Sequence, residues 1–196
     1  VAAGSPPSNA TITIDTIGSL AGNIVLQAQS LIYDDAPITL SGGALSLTLQ
    51  APNITLTTNA PISANAFQTV SMLANGGNIS VGADVTAGRI TMNGGSIGLS
   101  AHLTALNAGT IVLSGTNGIN LAASTLTAGR LMLEASNGGV TQQTGGVLDV
   151  GLLTNAGIIS GDISLIGTSN AIGTIGLEPP GITWAHQGAD GGELLT

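Results

Sequence analysis

Short runs in which aliphatic and small polar residues alternate recur along the chain. The clearest three read Val85-Thr-Ala-Gly-Arg-Ile-Thr-Met92, Leu106-Asn-Ala-Gly-Thr-Ile-Val-Leu113 and Leu126-Thr-Ala-Gly-Arg-Leu-Met-Leu133, at steps of 21 and 20 residues. Period-two alternation marks strands buried on one face. A fixed repeat of this length marks structural units that stack on one another.

The kernel of the phrase is Gly-x-aliphatic-x-aliphatic. Its first aliphatic position gives a row Ile24, Leu45, Val70, Ile90, Ile111, Leu131, Leu153 and Ile175. Glycine stands two residues earlier in seven of the eight, with Gln68 the exception. Two residues later the row is aliphatic again, except at Asn155, where the repeat is expected to be distorted. A second row lies between the first: Ile38/Leu40, Ile54/Leu56, Ile79/Val81, Ile97/Leu99, Ile119/Leu121, Val140 and Ile163/Leu165. Four of its members follow Asn-Gly, a pair that tolerates the left-handed backbone of a tight corner. A weaker third row is Val85, Leu106, Leu126 and Leu148.

Three extended sides and glycine-rich corners in each repeat describe one turn of a parallel β-helix. The pattern predicts an all-β chain, a single right-handed parallel β-helix (β-solenoid) of about 8 turns of about 20–22 residues. One turn alone cannot bury enough apolar surface to hold its backbone, so stability must come from the interfaces between turns. The predicted organisation is a linker or assembly segment at residues 1–10, the β-helix at 11–177, and a non-repetitive cap or docking tail at 178–196. Within the β-helix, Thr11-Ile-Thr-Ile-Asp15 is a candidate first strand. Tyr33-Asp-Asp-Ala-Pro37 is expected to bulge from the wall. Pro52 and Pro61 are expected at corners, because proline cannot donate to a central ladder.

Composition narrows the function classes. Charged residues make up 6% of the chain and the net charge is −8. Arg89 and Arg130 are the only Lys or Arg residues. Nucleic-acid binding needs a basic footprint, so it is excluded, and anionic membrane surfaces are disfavoured for the same reason. No apolar run reaches the ~20 residues of a membrane span, so no insertion is expected. Aromatics at 2% cannot furnish the girdles of an outer-membrane barrel. Cysteine is absent, which removes disulfides and thiolate metal sites. No basic, apolar leader opens the chain, so Val1 reads as a start left by processing or by cloning.

Gly129-Arg-Leu-Met-Leu-Glu-Ala135, the Asn-Gly corners and Asn170-Ala-Ile-Gly-Thr-Ile-Gly176 resemble the repeat shafts of filamentous-haemagglutinin-like, two-partner-secreted surface proteins of Gram-negative bacteria. The resemblance covers roughly residues 18–177. It implies a secreted or cell-surface location and a structural or adhesive role, and it carries over no catalytic residues.

Few residues suggest chemistry. Asp34-Asp35 is the only acidic pair. It is a candidate for calcium through oxygen ligands, against the plainer reading of a solvated loop. Asp190, in Gly188-Ala-Asp-Gly-Gly192, is a weaker candidate of the same kind. Arg89 and Arg130 occupy equivalent positions two turns apart with Thr110 between, and form a candidate ligand face for an anionic sugar. Asp84, Asp149 and Asp162 are too scattered for the paired carboxylates of glycoside hydrolysis, and His102 and His186 have no Ser/Asp partner in the pattern. Neither of the first two rows carries the regular outward threonines that ordering ice would need. The expectation is a non-catalytic module with no metal or cofactor, a structural part of an extracellular fibre or adhesin. Its expected partners are its own ends and a surface glycan or protein receptor. Pro179, Pro180, Trp184 and Glu193 are the candidates for end-to-end assembly. The alternative is a carbohydrate-binding or carbohydrate-cleaving β-helix.

Overall fold

The computed structural model describes Ile17, residues 19–176 and the backbone of Ile182–Trp184. The strands open with β1 (Gly22–Gln27), β2 (Leu31–Asp34), β3 (Ile38–Thr39), β4 (Ala44–Gln50), β5 (Asn53–Leu56) and β6 (Ile62–Ser63). The long central strands follow: β7 (Thr69–Val81), β8 (Val85–Leu99), β9 (Leu103–Asn120) and β10 (Thr125–Ala135). Then come β11 (Val140–Gln142), β12 (Val147–Ile159), β13 (Ile163–Leu165), β14 (Ala171–Gly176) and β15 (Ile182–Trp184).

The pairings between these strands are parallel, and each joins a stretch of chain to its counterpart about one repeat away. The result is a β-solenoid of about seven turns, not eight. Eight strands line the first face in the order β1-β4-β7-β8-β9-β10-β12-β14, and eight rungs enclose seven intervals. Seven intervals at about 4.8 Å give a rod about 34 Å long on this face.

The register corrects the first row. Ile24 pairs with Leu47, and Leu47 with Val70, so Leu47 is the inward residue and Leu45 is 62% exposed. The steps become 23, 23, 20, 21, 20, 22 and 22, and the long step of 25 between Leu45 and Val70 disappears. Gly43 therefore drops out of the corner series. From Val70 to Leu153 the row is fully buried.

The second row begins at Ile32 rather than Ile38. Ile32 pairs with Ile54, which stacks on Ile79, and the column runs on through Ile97, Ile119, Val140, Ile163 and Ile182. Tyr33 and Asp34 thus belong to the wall and do not bulge from it. Ile38 heads the third row, which continues through Ile62, Val85, Leu103, Leu126 and Leu148. Leu103 replaces Leu106 in that row. Between Ala105 and Thr110 the chain is longer than in the coils on either side, and Asn107 and Ala108 take left-handed φ of 54° to absorb the excess. Pro52 and Pro61 fall between strands, at corners.

The three inward rows meet in one continuous aliphatic core. Asn155 does break its row. It pairs with Leu133, and the register then jumps so that Ala135 meets Ile159. Its Oδ1 is buried without a hydrogen-bond partner. The ladder also runs on past Gly176 on the second face, where Ile182–Trp184 stacks on β13.

Candidate functional site

One corner shows why the repeat needs glycine. A Cβ added at Gly109 would lie 1.9 Å from the Gly88 carbonyl oxygen, and one at Gly129 would lie 2.1 Å from that of Ala108. The coil below approaches too closely for any side chain. Gln68 stands at the equivalent corner and solves the problem differently. Its side chain is buried and donates to the carbonyls of Ser41 (2.7 Å) and Ala44 (2.9 Å), while it accepts from the Asn65 amide (2.7 Å). Gln68 is therefore a staple between coils. The repeat pattern flagged it as an exception but could not supply its partners.

A second polar staple joins later coils. Gln142 occupies the inward position that Leu165 holds one coil later. Its amide and that of Asn170 form two reciprocal hydrogen bonds of 2.9 Å, and Asn170 Oδ1 also accepts from the Leu148 amide. Both amides are used in structure, so neither is free for chemistry.

The first face is the broadest. Its outward side chains form three files along the rod. The middle file holds Val25, Thr48, Ser71, Thr91, Val112 and Met132. One flanking file carries Arg89, Thr110 and Arg130 in register, as expected. Both guanidinium-bearing residues are exposed and lie about 10 Å apart, twice the strand spacing. The other flanking file carries Asn93, Ser114 and Glu134. On the third face Thr39, Ser63, Thr86, Thr104 and Thr127 make a single file of hydroxyls, which the misassigned Leu106 had hidden.

The acidic pair does not converge. Asp34 pairs with Leu56 at an inward position, and its neighbour Asp35 is exposed. Successive residues of a strand point to opposite faces. Asp35 accepts from the Thr57 hydroxyl and from Asn59 Nδ2. Asp34 Oδ1 accepts a long bond of 3.4 Å from the Ala36 amide, and Oδ2 is buried without a partner. Burial pushes the Asp34 carboxyl above the usual carboxylate range, against the pull of the Ala36 and Asp35 amides. Among the described residues no three His, Asp or Glu side chains come together as a metal site would require.

Asp84 is brought beside His102, eighteen residues on, but through the backbone: the His102 amide donates to Asp84 Oδ1 at 2.9 Å. The carboxylate there serves the fold rather than the imidazole. A shallow hollow of about 340 Å³ on the second face is bordered by Ser96, Asn117, Asn120 and Thr141, with no ionisable residue in its lining. Pro179, Pro180, His186, Asp190 and Glu193 lie outside the described residues, as do residues 1–16; Trp184 is placed by its backbone alone. No protein-family model, curated protein or solved structure matches this chain.

Proposed function

We propose that this chain is a non-catalytic structural module of an extracellular bacterial fibre or adhesin, a shaft that lengthens by stacking coils. The observation that carries the reading is the state of the last described coil. Ile175 belongs to a column that is fully buried from Val70 to Leu153, yet it is 46% exposed. An inward aliphatic residue left open at the end of a parallel ladder is a receiving surface for another coil. Open strand edges recruit further strands unless they are blocked. The resemblance to filamentous-haemagglutinin-like shafts supports the same reading and suggests a cell-surface setting in a Gram-negative bacterium.

The two ends are unequal, which favours head-to-tail growth. Ile24 in the first coil is only 4% exposed, and Ile17 joins the core beside it. A contact between unlike ends extends into a filament unless it closes into a ring. Electron microscopy of the purified chain, combined with assays for released sugar ends on a panel of polysaccharides, tests the proposal. The expected result is rods whose lengths fall in multiples of one unit and no turnover. Compact particles that cleave a polysaccharide would overturn it in favour of an enzyme.

A further inference from the structure

In three coils the flanking files of the first face carry matched residues, whereas Thr69 stands opposite Leu73, Arg89 opposite Asn93 and Thr110 opposite Ser114 in the coils between. In the sixth coil Arg130 stands in one file and Glu134 in the other. In the seventh, Leu152 stands in the first file; Ile158, 70% exposed, takes the place of Glu134, because Ala135 pairs with Ile159. In the first coil the two positions hold Asn23 and Gln27. Opposite charges, two aliphatics and two amides thus occupy corresponding places on either side of the middle file.

These partners cannot meet within one molecule. Four residues along a strand span about 13 Å. A twofold axis parallel to the rod brings them together. It lays the middle file of one copy on that of another and sets each coil against its own counterpart with strands antiparallel. Arg130 of each copy then faces Glu134 of the other. The Glu134 side chain lies over Gly157, where an added Cβ would fall 2.6 Å from the Glu134 carboxyl carbon. The middle file suits close approach: Thr91, Val112 and Met132 are small or flexible and carry no charge.

We propose that the first face is a self-complementary surface through which two copies of this chain pair side by side, in parallel, with Arg130 and Glu134 exchanged across the dyad. Charge places the surface here. Both cations of a chain of net charge −8 lie on this face, and of the six described carboxylates Glu134 alone shares it. Area permits the pairing. A face about 34 Å long and about 16 Å wide hides about 1,100 Å² over both copies, just above the roughly 1,000 Å² that a specific interface needs.

Sedimentation equilibrium with small-angle X-ray scattering tests this on the wild type, R130E, E134R and the double variant R130E/E134R. The wild type is expected to double its mass while its cross-section thickens, whereas end-to-end stacking would lengthen it instead, so the two modes of assembly are read separately. Each single reversal sets like charges opposite across the dyad and is expected to weaken pairing by about tenfold or more. The double reversal restores opposite charges and is expected to return pairing to within about threefold of wild type. Circular dichroism confirms that each variant is folded. A wild type that never widens, single reversals without effect, or a folded double variant no better than the singles would each overturn the proposal.

Discussion

The middle of the rod and its C-terminal end use the same sequence phrase and obtain different burial from it. Ile90, Ile111 and Leu131 are completely buried, whereas Ile175, two steps further along the same column, is nearly half exposed. The phrase Gly-x-Ile is the same at 109–111 and 173–175. The difference is a neighbour: Ile111 has a coil above and a coil below, and Ile175 has β12 on one side only among the described residues. Inward position is therefore a property of the strand, while burial is a property of the stack.

That comparison can be broken most sharply by a charge. Ile111→Asp would bury an unpaired carboxylate and is expected to cost about 4 kcal/mol or more, enough to unfold a marginal chain. Ile175→Asp should be tolerated, since its carboxylate reaches water. Equal losses in thermal melts would show that the last coil is covered after all. Truncation grades the same contrast. Ile111→Ala should cost about 2–5 kcal/mol in denaturant titrations, and Ile175→Ala less than half as much.

The corner supplies an intermediate effect. Gly129→Ala would drive a Cβ against the Ala108 carbonyl oxygen and should cost about 1–3 kcal/mol. Gly42→Ala, where an added Cβ meets nothing within 4 Å, should change stability little. Matching losses would remove close coil approach as the reason for the glycine column.

The smallest expected effect is a pH dependence in the first coil. Burial raises the Asp34 pKa, so the fold favours the protonated form. Its contribution to stability is complete below the unfolded-state value and is lost as pH rises through the raised folded value. Asp34→Asn should therefore raise the melting temperature slightly at neutral pH and flatten its slope just above the usual carboxylate range. An unchanged slope would mean that the carboxyl is solvated.

The architecture was legible because one phrase repeats with little drift between Val70 and Leu133. It blurred where local resemblance competed with spacing. Leu45, Leu47 and Leu49 alternate so regularly that two registers fit, and Gly43 pointed to the wrong one. Leu106-Asn-Ala-Gly copies its neighbours in letters, yet the three-residue phrase Leu103-Thr-Ala105 fills the row, because a bulge lengthens the corner. Ile38 resembled a second-row residue only while Tyr33–Pro37 was taken for a bulge from the wall. The Arg89–Thr110–Arg130 file was readable, since it needed only a constant offset from the inward row. The match between its file and that of Glu134 was not, because Ile158 enters that second file only through the register jump after Asn155.

The central proposal is that the coil of β14, the last of the described first face, is the end on which the rod grows. Hydrogen exchange of the β14 amides, measured against those of β8, β9 and β10 at low and high protein concentration, tests it most directly. In dilute protein β14 should exchange far faster than the central strands, because among the described residues it pairs with β12 alone. As concentration rises, its protection should climb toward theirs while another copy docks. A β14 as slow as β9 in dilute protein, or one that stays fast at every concentration, would contradict the account.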